Sequence, residues 1–485
     1  MCLAHSARVA CFSSSFSPPS LVSHVTHACD AQFVSKEPAA VVEDVVNHEA
    51  ISLRSIGSAV VAANRFRNSM SKDYESGRAS PRRSGELDFR RGSTSSDGSG
   101  MSSDGLHPDV AAHPAAQIVP ARHLPLSASK AELDAVVTVC EQINACEWDS
   151  DLLALCSTLR SPMAFIVRQI LDQWEAASVL ECETETIDAM LDELERGYKP
   201  TNPYHNATHA ADVAFSTHVM LMHGVKEALR LTDLQCVVCV IAAAAHDFRH
   251  PGIGANYLIA MGDELALTYN DRSPLENMHT SQFFRMLKIN PKTNVFAKKG
   301  RKEMAAIRKC IIAMILATDM SVHFEFLDKF QKRFGEPLRQ DAPPLSEDEQ
   351  NFACSLLLHC ADISNPAKAK DTYFDWTDRV LAEFYHQGDL EKANDLAVST
   401  FFDRDKPDVA KMQSGFIQFI VRPMFTAWTA FVPDLAVKTK CMVHIETHAA
   451  LWKAETQPIA PGSVFVHGGK EDWDWVKGRW KKTGQ

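Results

Sequence analysis

The chain has 485 residues, 45% hydrophobic and 23% charged, with a formal net charge of -11. That supplies a large core, and the acid excess argues against a nucleic-acid polymer as partner, because such binders need positive surface to displace counterions. The longest apolar run, Cys236 to Ala245, is too short to cross a bilayer and reads as a buried helix, so no transmembrane span is expected.

Met1 to Ala28 is Ser-rich and lacks Asp and Glu, a faint transit-peptide texture, but Arg8 is its only fixed cation and no apolar stretch follows. The thirteen cysteines are odd in number and scattered, so reduced thiols and a cytoplasmic location are expected, with targeting or membrane association through this tail left open. Residues 1–128 are rich in Ser, Gly and Pro and cannot bury enough apolar surface to offset chain entropy; they read as a disordered regulatory tail. Within it, Ile51, Ile56, Val60, Val61 and Phe66 alternate with Arg54, Arg65 and Arg67. That mixture reads as a nascent solvated helix, with a membrane surface or a calmodulin-like regulator as the sharper alternative. Arg82-Arg83-Ser84 and Arg90-Arg91-Gly92-Ser93 resemble basophilic kinase targets.

From Ser129 the texture changes to repeated helix signals. Ser129 to Glu132, Thr232 to Gln235 and Ser346 to Glu349 predict capping boxes, while Ser161-Pro162 and Asn202-Pro203 predict caps with proline at the first helical position. Asn290-Pro291, Gly335-Glu336-Pro337 and Pro343-Pro344 mark loops, and few stretches alternate with period two. An all-α domain over 129–485 follows. Cys236 and Cys239 form a CxxC that reads as two small core residues, and the sequon at Asn206 reads as fortuitous.

The chemistry lies in Tyr204 to His209, His246 to Gly252, and Asp362. On a helix after Asn202-Pro203, His205 and His209 would be four apart and share one face; His218 and His223 further along have no assigned role. His246 and Asp247 close the apolar helix that starts at Thr232, and Asp362 closes the one capped by Ser346. An unpaired buried Asp is costly, whereas a divalent cation beside it keeps the carboxylate ionised, so three helix ends are expected to meet around metal.

The motifs then become dense. They are Tyr204-His205-Asn206 with His209 to Val213, the His-Asp-x-x-His-Pro-Gly run at 246–252, and Leu267 to Asn277. Ala317 to Ser321, Ala361 to Lys368, Trp376 to Arg379, Glu383-Phe384, Gln387 to Asp389 and Gln413 to Ile417 follow in order. Together they resemble the catalytic domain of the class I 3',5'-cyclic nucleotide phosphodiesterases, a compact multi-helix fold of the HD-type metal hydrolases. The resemblance implies hydrolysis of cyclic nucleotides to 5'-monophosphates, ending cyclic nucleotide signalling. It implies His209, His246, Asp247 and Asp362 as ligands of a tighter zinc, with Asp247 bridging to magnesium or manganese. It implies His250, Glu276 and Thr318 as supports of water on the second ion, a metal-activated hydroxide as nucleophile, and His205 as general acid. For substrate it implies Tyr204, Asn365, the purine-bonding amide of Gln413, and a clamp of Phe416 against Val380.

In the resembled family an asparagine at the place of Asn365 is common among cyclic-AMP-preferring members and occurs in cyclic-GMP-selective ones too, so the resemblance implies cyclic AMP over cyclic GMP with dual use left open. Met278 stands where the family usually has histidine, and Arg249 where it commonly has an acid; altered metal support or substrate preference is the expectation. Two rivals are another HD-type nucleotide phosphohydrolase and a catalytically dead cyclic-nucleotide sensor; all four ligand positions and the acid are retained against the latter. A homodimer, and kinase control through the tail, are further candidates.

Overall fold

The computed structural model describes residues 106–339, 343–432 and 437–454, and every regular element among them is helical, as the all-α expectation requires. Thirteen helices have eight residues or more among the described residues. They are α1 Lys130–Asn144, α2 Pro162–Gln173, α3 Thr184–Gly197, α4 Ala207–Met220, α5 Asp233–Ala245, α6 Pro274–Ile289 and α7 Arg301–Leu316. The rest are α8 His323–Phe334, α9 Glu347–Asp362, α10 Lys370–Ala393, α11 Val409–Phe416, α12 Arg422–Phe431 and α13 Lys438–Ala454.

The three expected capping boxes form. At α1, Ser129 Oγ accepts from the Glu132 amide at 3.3 Å while Glu132 Oε2 accepts from the Ser129 amide at 2.7 Å; Thr232 with Gln235 and Ser346 with Glu349 repeat the exchange at α5 and α9. The middle of the molecule is α4 and α5. Every residue from His209 to Met220 and from Cys236 to Ala245 is buried, so these helices must be wrapped on all sides, and α2, α7 and α9 do this. Cys236 and Cys239 are buried thiols without a disulfide.

Two features depart from the sequence reading. Short helices at Pro108–Ala112 and Ala115–Ile118 precede the expected domain start at 129, because Val110, Ala115, Val119 and Leu124 seat an otherwise polar stretch in the main core. The second concerns Asn202-Pro203, which does not begin a helix; α4 starts at Ala207 with Asn206 as its cap. The Ile51–Met70 segment, Ser84, Ser93 and residues 455–485 lie outside the described residues. Among the described residues no single helix is long and apolar enough to cross a membrane.

Candidate active site

Three helix ends meet. His209 stands in the first turn of α4, His246 is the C-cap of α5 with Asp247 next, and Asp362 is the last residue of α9. His209 Nε2 lies 3.0 Å from Asp362 Oδ1 and 3.6 Å from Asp247 Oδ2, and His246 Nε2 lies 3.2 Å from Asp247 Oδ2 and 3.4 Å from Asp362 Oδ1. The edge of a tetrahedron with bonds of about 2.1 Å is roughly 3.4 Å, so this spacing suits ligands around one cation. His246 Nδ1 sits 2.8 Å from the Ala243 carbonyl, which fixes the ring, while its Nε2 is buried without a hydrogen-bond partner. Burial pushes the Asp247 and Asp362 carboxyls up, yet the neighbouring imidazoles hold both well below the carboxylate range. The negative dipole ends of α5 and α9 add to a field that attracts positive charge.

Asp247 also faces a second group. Ligand atoms of Asp247, His250 and His279 all lie within 4.8 Å of one another, with His279 Nε2 3.6 Å from Asp247 Oδ1 and its Nδ1 2.8 Å from the Phe248 carbonyl. His279 escaped the sequence reading, although the Glu276-x-x-His279 spacing puts both residues on one face of α6. Met278 is buried beside it, so the departure from the family pattern leaves a histidine facing Asp247. Glu276 has a buried, unpartnered Oε2, and burial followed by the Asp319 carboxylate pushes its carboxyl up to about 8. Thr318 sits just past α7 and donates its hydroxyl to the Ile315 carbonyl at 2.8 Å, leaving its oxygen able to accept.

His205 arrives by a route other than the expected one. Since Asn206 caps α4, accepting from the Thr208 and His209 amides at 2.9 and 3.2 Å, His205 precedes the helix and does not share its face with His209. The loop is pinned instead. Asn202 Nδ2 donates to the His205 carbonyl at 2.8 Å and the His250 carbonyl at 3.0 Å, and Gly252, at φ +84, lets the chain pass where a Cβ would stand 2.5 Å from Asn202 Oδ1. The His205 ring thereby stacks on His250 at 4.0 Å and lies 5.8 Å from the His209 ring.

Glu383 of α10 completes the arrangement. One of its oxygens pairs with His205 Nδ1 and the other accepts from the Tyr204 and His205 amides at 3.2 and 3.1 Å. Burial alone would lower the His205 pKa, but the Glu383 carboxylate raises it to about 9. Glu383 appeared in the sequence only as part of a motif; its role becomes visible through contact. A buried cation anchors the opposite wall: Lys368 Nζ lies 3.1 Å from Asp212 Oδ1, 2.6 Å from Ser216 Oγ and 4.4 Å above the Trp148 ring. It ties α4, one turn after His209, to the turn that follows Asp362.

Of the remaining predicted residues, Tyr204 sits against the cluster, its ring 4.5 Å from that of His209. Asn365 Nδ2 donates to the Tyr204 hydroxyl at 2.6 Å, and Tyr204 packs with Leu153, Trp376 and the half-buried Val380. Gln413 of α11 is buried, its Oε1 accepting from the Tyr373 hydroxyl at 2.7 Å, which in turn accepts from Trp452 Nε1 at 2.7 Å. Phe416, the last residue of α11, is half-buried against the main core. Arg249 adopts φ 67 and donates to Gln282 Oε1 at 3.0 Å.

Residues 204–442 match the family model of the 3'5'-cyclic nucleotide phosphodiesterases. The chain is 32% identical over 325 residues to the mouse high affinity cAMP-specific and IBMX-insensitive 3',5'-cyclic phosphodiesterase 8A, covering 63% of this chain and 38% of that protein. It is 35% identical over 277 residues to the rat 3',5'-cyclic-AMP phosphodiesterase 4C, covering 56% of this chain and 51% of that one. The chain thus spans about half or less of the length of these curated relatives. The crystal structure of the phosphodiesterase domain of the RhoPDE fusion protein from the choanoflagellate Salpingoeca rosetta superposes with a TM-score of 0.58 at 28% identity, covering 65% of this chain and 97% of that domain. With the histidine–aspartate cluster lying inside it, the matched segment is a catalytic domain of the class I 3',5'-cyclic nucleotide phosphodiesterase family.

Proposed function

We propose that this chain hydrolyses 3',5'-cyclic nucleotides to nucleoside 5'-monophosphates, with cyclic AMP favoured over cyclic GMP. The observation that carries this reading is the gathering of His209, His246, Asp247 and Asp362 beside the His205–Glu383 pair. Those four side chains would hold zinc, with Asp247 shared by magnesium or manganese and His250, Glu276 and Thr318 around the second ion. Such ions supply charge neutralisation of the phosphate and a more acidic water.

The chain's own part is proton delivery and orientation. When water adds to phosphorus and the P–O3' bond breaks, the departing ribose oxygen must gain a proton. His205 is held as imidazolium up to about pH 9, chiefly by Glu383 against the effect of burial, and can give that proton while Glu383 stays ionised. Tyr204 and Asn365 line the approach, and Phe416 with Val380 offer apolar faces to a flat base. The Tyr373 hydroxyl, which accepts from Trp452, donates to Gln413 Oε1 and so favours one order of donor and acceptor on the amide. Adenine and guanine display opposite orders along that edge. The mouse and rat relatives are named for cyclic AMP, and on that basis adenine is the base assigned here.

The test is His205→Ala in metal-loaded protein. Turnover should fall by about 10²–10⁴-fold with metal content unchanged. Unaltered turnover would remove the acid, and wild-type protein that binds but never hydrolyses cyclic nucleotide at full metal loading would overturn the reading.

A further inference from the structure

Away from the metal centre, a hollow of about 390 Å³ lies between α6 and α7. That is the size of a small-ligand pocket. Its wall includes Ser281, Phe284, Arg285 and Lys288 of α6, Arg308 of α7, and Tyr269. None of the three cations has a carboxylate within 4.0 Å among the described residues. In a chain with 61 acidic side chains against 50 Lys and Arg, three cations without a carboxylate in salt-bridge range among the described residues form a local positive field around one hollow.

The wall also has a flat element. The Arg308 guanidinium lies 4.2 Å from the centre of the Phe284 ring, making a cationic shelf on which a second ring can stack, and Ser281 and Tyr269 bring hydroxyls to the same wall. We propose that this hollow is a second ligand site, taking a small phosphomonoester carried on a planar ring, the class to which a nucleoside 5'-monophosphate belongs. A phosphomonoester bears close to two negative charges at neutral pH, and arginine forks pair with its oxygens in a way that a single-charge diester exploits less well. Lys288 adds a point charge. Glu276 and His279 lie on another face of α6, so the ligand would rest against the helix that also serves Asp247, but its binding does not depend on the reaction proposed above.

Hydrogen exchange of the metal-loaded full chain tests this, with 5'-AMP as probe and two comparison arms: inorganic phosphate, and vesicles containing phosphatidylinositol 4-phosphate. AMP should slow exchange in peptides covering 277–288 and 301–312 at least fivefold more than equimolar phosphate. The Arg285→Glu, Arg308→Glu double variant should lose that protection with its melting temperature and cyclic AMP turnover unchanged. Should the double variant fold poorly, Lys288→Ala should raise the AMP concentration needed by at least threefold. No protection in either segment, or protection that survives in the variants, overturns the site. Equal protection by phosphate alone overturns the ring-bearing ligand, and protection by vesicles but not by AMP overturns it in favour of a lipid headgroup.

Discussion

Around His209, His246, Asp247 and Asp362, lone pairs converge without enough protons or donors to answer them; His246 Nε2 and Glu276 Oε2 are buried with no partner. Around Gln413 the chain answers itself, through Trp452 to Tyr373 to Gln413, and the neighbouring Asn365 bonds Tyr204. Buried polar atoms are normally satisfied, and the first region is a histidine–aspartate cluster that could hold a metal ion. The second is closed by its own hydrogen bonds, which under the proposed function would orient the amide that meets the base.

The contrast can be broken at three places. Lys368→Met removes the buried cation that locks α4 to the turn after Asp362 and strands Asp212; a loss of about 3–5 kcal/mol in urea unfolding is expected, with weaker metal retention. A loss under about 1 kcal/mol would mean the metal-facing half is held by packing alone. Glu383→Gln acts on rate. His205 must be protonated to act, and its pKa of about 9 owes its elevation chiefly to Glu383, so the alkaline limb of kcat should move down toward the ordinary 6.5 or below. A limb left near pH 9 would sever the pair's role. Tyr373→Phe frees the Gln413 amide to turn, and the ratio of kcat/KM for cyclic AMP over cyclic GMP should fall by roughly 5- to 30-fold, the equivalent of about 1 to 2 kcal/mol of hydrogen bonding. An unchanged ratio would show that Gln413 is oriented by other contacts.

Much of this arrangement is legible in the sequence. The caps at Ser129, Thr232 and Ser346 are local, three-residue events, and the amides of Glu132, Gln235 and Glu349 answer them as the spacing implies. The residues at the ends of α5 and α9 were readable for the same reason: an apolar helix that ends in His-Asp or Asp announces a polar terminus. What stayed hidden was determined by distant partners. Asn202-Pro203 looks like a helix start, but its amide is spent on the carbonyls of His205 and His250, and the true cap is Asn206. Glu383 and Lys368 stand inside motifs that assign them no role; only the approach of α10 to His205 and of the 368 turn to Asp212 gives them work. His279 has no local signature, since its ring meets Asp247 and the Phe248 carbonyl only through the packing of α6 on the turn after α5.

Metal content decides the rest. Pure, active full-length protein should retain about one tightly bound zinc-class ion per chain after desalting, as four converging N and O ligands require, and a cooperatively melting Asp362→Ala variant should retain less than about a tenth of it. Active protein carrying no such ion, or a variant that keeps its full complement, would contradict the proposed dinuclear centre.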